Sequence, residues 1–173
     1  PSQTTWRRHR PIKRAIERRP DSTRVCIMTI EATLDTGPVY KCLTTAIGAL
    51  DTAGSLHDRL ANLGARALRD CIKLLIRGEL PPAVPQDDSQ AIYASKLSKA
   101  EAELDWNQAA EVLQRKVRAF DPWPVALCEL DGQRLRIWKA EVVGDVKIIT
   151  EVIGYARQGE PSLLPGGLVI FHA

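Results

Sequence analysis

A chain of 173 residues, 45% of them hydrophobic, can bury a core as one ordinary domain or two small ones, which excludes disorder throughout. The net charge is only +3, but eight of the 24 Lys and Arg residues and just two of the 21 acids fall within residues 1–24, so the basicity is mostly N-terminal. Neither a bilayer-spanning run of about 18 apolar residues nor the apolar core of an export signal is present, and the chain reads as soluble, cytoplasmic and not membrane-bound.

Taken in order, residues 1–10 carry no apolar period and are expected as loop. Pro11 suits the first turn of a short helix to about residue 19, because its fixed φ fits there and its missing N–H leaves nothing unpaired. Ile12, Ala15 and Ile16 give that helix one apolar stripe. Two short β-forming runs follow, at 25–30 and from 39 to about 47. Next, Leu56, Leu60, Leu63, Ala67, Cys71, Leu74 and Leu75 recur at steps of three and four, which predicts a long helix. Asp51 or Thr52 can cap its start and Gly78 its end; His57 reads as a surface or capping-turn residue. Pro81, Pro82 and Pro85 mark residues 79–95 as a linker between domains at 1–78 and 96–173.

In the second domain Trp106, Ala110, Leu113, Val117 and Phe120 form one helix face, expected to be capped near Asp105. Asp121-Pro122-Trp123-Pro124 stops that helix, with Trp123 read as a core plug. Residues 125–130, Asp131-Gly132 and 133–142 spell a β-hairpin, with Leu135 and Ile137 on one face and Arg134, Arg136 and Trp138 on the other. Residues 146–155 and 168–171 are further strand candidates, one short of the roughly five strands of a small barrel. The cysteines at 26, 42, 71 and 128 fit neither a Cys-x-x-Cys zinc site nor a dense disulfide framework, so free thiols and no metal are expected.

The stretch most suited to chemistry is Glu31-Ala32-Thr33-Leu34-Asp35-Thr36-Gly37-Pro38, which places a carboxylate in a turn between the two apolar runs. Asp-Thr-Gly is also ordinary turn chemistry, with Gly37 expected to supply a positive φ. The basic cluster of Arg7, Arg8, Arg10, Lys13 and Arg14 fits either phosphate contact or a solvated face. Lys96 and Lys99 fit either phosphate contacts or surface pairs with Glu101 and Glu103. Arg134 and Arg136 interleave with Trp138 as phosphate-contacting and base-stacking groups do, and as an ordinary exposed face also does.

The order Trp6-Arg7, Pro11-Ile12, Leu34-Asp35-Thr36-Gly37, Asp51-Thr52-Ala53-Gly54-Ser55-Leu56, Tyr93-Ala94-Ser95-Lys96-Leu97-Ser98-Lys99 and Arg118-Ala119-Phe120-Asp121-Pro122-Trp123-Pro124 resembles the methionyl-tRNA formyltransferase family. The resemblance implies an α/β chain: the C-terminal part of a Rossmann-like formyltransferase domain, then a small, incomplete OB-like β-barrel. It implies transfer of a formyl group from 10-formyltetrahydrofolate to the amino group of methionine on initiator tRNA. That family uses an Asn, a His and an Asp; Asp35 matches the Asp by its Leu-Asp-Thr-Gly setting. The Asn and His belong to a segment upstream of Pro1, and His9 lies beyond it, so the chain alone is expected to be inactive. Its opening on Pro rather than Met reads as an upstream portion missing or removed. Arg7, Lys96, Lys99, Arg134 and Arg136 are the expected tRNA contacts, and a monomer is expected. Where the family carries Gly-Ala-Ala after Trp-Arg, this chain has Arg8, His9 and Arg10. A non-catalytic tRNA-binding remnant and a formyltransferase with another amine acceptor are the alternatives.

Overall fold

In the computed structural model, which describes residues 5–7, 11–18, 21–33, 35–87, 89, 91–93, 98–130, 132–143 and 168–172, the chain divides into two units. One is Pro1–Ala49 with Ser55–Lys96, the other Leu50–Gly54 with Leu97–Ala173.

In the first unit the basic start of the chain is not all loop. Thr5–Arg7 forms a short strand, β1, which pairs in parallel with Ala91–Tyr93, setting Trp6 opposite Ile92 and Arg7 opposite Tyr93. Three residues are too few to show a period, and the partner lies far along the chain. Pro11 opens α1 (Pro11–Arg18), whose Ala15 and Ile16 are buried. The two β-forming runs become β2 (Ser22–Met28) and β3 (Val39–Ala46), an antiparallel pair with Val25 opposite Leu43 and Cys26 opposite Cys42.

That register corrects the expectation of four free thiols. Cys26 and Cys42 are joined in a disulfide, their Cα atoms 4.1 Å apart. Spacing along the chain says nothing about which residues a ladder sets face to face; the antiparallel pairing does. Cys71 and Cys128 are free and buried.

The long helix α2 runs Ala53–Ile76, with Leu56, Leu60, Ala67 and Cys71 buried on one side. Its polar side is tied to β3: Lys41 Nζ lies 2.7 Å from Asp70 Oδ2, and Arg59 donates to Thr45 Oγ1 at 3.1 Å and the Ala46 carbonyl at 2.8 Å. Leu75, expected on the buried stripe, is 62% exposed. It joins Leu68, Ile72 and Ile76 on a second, exposed apolar face, because one step along a helix turns the side chain by about 100°. Gly78 ends the helix at φ 70°, its N–H donating to the Leu75 carbonyl and that of Glu79 to the Leu74 carbonyl, which satisfies two terminal carbonyls. Beyond it, Val84 makes an isolated antiparallel bridge with Val39, with N–H···O distances of 2.8 and 2.9 Å, before Ala91–Tyr93 forms β4.

In the second unit, the Ser98 N–H donates to Glu101 Oε1 at 2.8 Å and the Glu101 N–H to Ser98 Oγ at 3.3 Å, a reciprocal pair across the start of a 3-10 turn at Ala100–Ala102. The helix α3 begins at Ala110 and runs to Phe120, so Asp105 is not its cap. The Asp105 carboxylate instead accepts the Asn107 backbone and side-chain N–H groups at 3.1 and 2.9 Å, a local turn that lowers its pKa through those bonds. Leu113, Val117 and Phe120 are buried as their spacing predicts, but Trp106 is not. Arg118 donates to the Asp51 carbonyl at 2.8 Å, and the Gly54 N–H to the Asp121 carbonyl at 3.1 Å; these bonds hold the 50–54 segment within this unit. Trp123 is 42% exposed and does not plug the core, since the turn at Asp121–Pro124 carries it outside the helix face.

The hairpin forms as β5 (Ala126–Leu130) and β6 (Gln133–Ile137), with Gly132 at φ 73° in its turn. Its second strand is shorter than expected. The ladder ends at Ile137, and Lys139–Val143 becomes a separate strand, β7, paired in parallel with β8 (Leu168–His172). Leu104, Ala110, Leu113, Val117, Ala126, Cys128, Ile137 and Ala140 make one core, and its burial raises the Cys128 pKa. Among the described residues no barrel closes: β5 pairs with β6 and β7 with β8, as two separate sheets. The strand candidate at 146–155 lies outside the described residues.

Candidate functional site

The turn between β2 and β3 is built by close backbone approach. Thr29 closes its base, with its N–H 2.9 Å and its hydroxyl 3.3 Å from the Pro38 carbonyl oxygen. Gly37 is buried against Thr29, where a Cβ would overlap the Thr29 carbonyl oxygen and stand 2.8 Å from its carbon. This corrects the role given to that glycine. The left-handed residue of the turn is Asp35 itself, at φ 59°, a conformation that Asp tolerates better than most residues. Gly37 is needed for the lack of a side chain, not for its φ.

Asp35 is exposed. The Thr36 hydroxyl bonds with that of Thr33 and lies 3.2 Å from the Thr33 carbonyl and 3.4 Å from Glu31 Oε2, a polar cross-brace within the turn. A second brace comes from far along the chain: Gln86 Nε2 lies 3.1 Å from the Asp35 carbonyl oxygen and 2.7 Å from that of Gly37. The arrangement holds an exposed aspartate at the end of a strand pair on a backbone pinned from both sides. Such a group can orient and support a developing positive charge.

Of the expected basic contacts, Arg7 lies on β1 and Lys96 lies outside the described residues. Lys99 is exposed at the entry to the 3-10 turn. Arg134 and Arg136 are both exposed on β6, alternating with the half-buried Leu135 and the buried Ile137, and Trp138 at its end is 43% exposed. The β6 faces thus divide as the period-two pattern predicts. Gln86 and the cysteine pair were missed. A glutamine behind three prolines carries no local signal, and only the Val84–Val39 bridge reveals its reach. Among the described residues no cluster of three or more His, Cys, Asp or Glu gathers to hold a metal, and no helix is long and apolar enough to cross a membrane.

Residues 96–166 match the family model described as formyl transferase, C-terminal domain. The chain is 53% identical over 132 residues to the methionyl-tRNA formyltransferase of Xanthomonas euvesicatoria pv. vesicatoria (strain 85-10), covering 76% of this chain and 43% of that protein. It is 53% identical over 135 residues to the one from Xylella fastidiosa (strain 9a5c), covering 78% of this chain and 44% of that protein. In fold it is similar to HypX from Aquifex aeolicus, solved in complex with tetrahydrofolic acid, with a TM-score of 0.66 and 18% identity over 78% of this chain and 23% of that one. The chain therefore spans less than half the length of these curated relatives. Residues 96–166 are thus similar to the C-terminal domain of formyl transferases, and the likeness of the chain is to the carboxyl-terminal part of the methionyl-tRNA formyltransferases.

Proposed function

We propose that this chain is the carboxyl-terminal part of a methionyl-tRNA formyltransferase acting in translation initiation, with 10-formyltetrahydrofolate as formyl donor and the amino group of methionine on initiator tRNA as acceptor. The observation that carries this reading is the Asp35 turn: the one residue that matches the family's catalytic Asp is exposed on a backbone held by Gly37 and Gln86. In the reaction an amine attacks the formyl carbon, the amine loses a proton and negative charge develops on the formyl oxygen. Asp35 would orient and support the family's imidazole while it is charged. The tetrahydrofolate complex of a fold neighbour supports a folate donor.

In this reading residues 1–78 finish the catalytic domain, 79–95 link, and 96–173 form the tRNA-facing domain, an OB-like barrel when complete. Lys96 and Lys99, the Arg134, Arg136 and Trp138 face, and Arg7 make the contacts with the tRNA, and the protein acts as a cytoplasmic monomer.

The test is complementation. The chain is mixed with the upstream part of the Xanthomonas relative, charged initiator tRNA and 10-formyltetrahydrofolate. Formyl transfer is expected in the mixture, absent from either part alone and abolished by Asp35→Asn. Transfer that survives Asp35→Asn, or a mixture that folds and binds tRNA yet transfers nothing, would overturn the reading.

A further inference from the structure

Gln86 lies 51 residues beyond Asp35 in sequence. Its backbone position is nevertheless fixed. Val84, two residues earlier, exchanges two hydrogen bonds with Val39 at the start of β3, and Pro85 allows little rotation about its own φ. From that anchor the Gln86 carboxamide reaches the Asp35 turn, with Nε2 at 3.1 Å from the Asp35 carbonyl, 2.7 Å from the Gly37 carbonyl and 3.9 Å from Met28 Sδ at the end of β2. A primary amide carries two N–H donors, one for each carbonyl. The two carbonyls belong to the Asp35–Thr36 and Gly37–Pro38 peptides, so one side chain ties down both ends of the Thr36-Gly37 segment. The Asp35 backbone is meanwhile in a conformation that L residues seldom hold without outside support.

We propose that Gln86 is a positioning residue: its side-chain amide holds Asp35 in the left-handed conformation and so aims its carboxylate. Its link to catalysis rests on the reading of Asp35 given above. The clamp itself does not, because it is a statement about backbone geometry. A segment that the sequence marks as a spacer therefore also reports to the site.

The experiment is NMR on the isotope-labelled chain, wild type against Gln86→Met, which keeps the length and loses both donors, and Gln86→Glu, which sets a carboxylate against two carbonyl oxygens. In both variants the couplings that read φ at Asp35 should move from the positive to the negative range. Amide exchange at Asp35, Thr36 and Gly37 should quicken about tenfold while the β5–β6 amides keep their rates. A side chain that merely fills space would leave Gln86→Met like wild type, and that result overturns the proposal. If the variants do not fold, the wild-type chain still decides: slowed exchange of the Gln86 side-chain amide protons supports the clamp, and exchange at the rate of a free amide overturns it. In the complementation assay Gln86→Met should lower kcat with KM for the tRNA unchanged. Loss of all transfer in the wild-type mixture would count against the reading of Asp35 and leave the clamp standing.

Discussion

Lys41 Nζ lies 2.7 Å from Asp70 Oδ2, linking β3 to α2 across 29 residues of sequence. The hydrogen bond and charge of Lys41 hold the Asp70 pKa below its ordinary 3.8. A carboxylate with a depressed folded-state pKa contributes stability that is present above the unfolded pKa and lost as pH falls through the folded value. The contribution is small, since both groups are partly solvated. Lys41→Met should return the Asp70 titration, followed by carboxyl carbon shifts, toward 3.8. It should also flatten the acid limb of the stability curve below that pH. An unchanged Asp70 titration would contradict the pairing.

The turn at Asp35 makes opposite demands on its two key positions. Gly37→Ala should cost about 1–3 kcal/mol, since the added methyl meets backbone that cannot yield cheaply. At Asp35, Ala should cost about 1 kcal/mol more than Asn, because Asn tolerates the left-handed region and Ala does not. Denaturant melts of the three variants test both; equal stabilities for Asp35→Ala and Asp35→Asn would argue against a positive φ there.

Thiol counting tests the cysteine pairing. The native chain should react slowly with an aromatic disulfide reagent, since Cys71 and Cys128 are buried and burial keeps Cys128 protonated. Denaturation without reductant should release two thiols and denaturation with reductant four. Four thiols without reductant would remove the Cys26–Cys42 bond.

The second apolar face of α2 exposes Leu68, Ile72, Leu75 and Ile76, and an exposed apolar patch of this kind is expected to be adhesive. Ile72→Lys combined with Leu75→Lys should sharply reduce binding of a hydrophobic dye and concentration-dependent association, and leave the melting temperature nearly unchanged. A large fall in melting temperature instead would show that the face is packed in solution.

Local chemistry was enough to locate much of this protein. The steps of three and four in α2, the positive-φ glycine at its end, the start of α1 at Pro11 and the Asp-Gly hairpin are all written within a few residues of where they act, so they were legible. So was the place of the turn that carries Asp35, between the two β-forming runs. The tertiary structure decided what depends on distant partners. It placed β1 against β4, set Cys26 opposite Cys42, and brought Gln86 back to the Asp35 turn. It also reassigned the left-handed φ from Gly37 to Asp35. A residue's type and spacing constrain the bonds its own neighbours can make; which strand lies alongside, and which side chain arrives from 51 residues away, is settled only when the chain closes on itself.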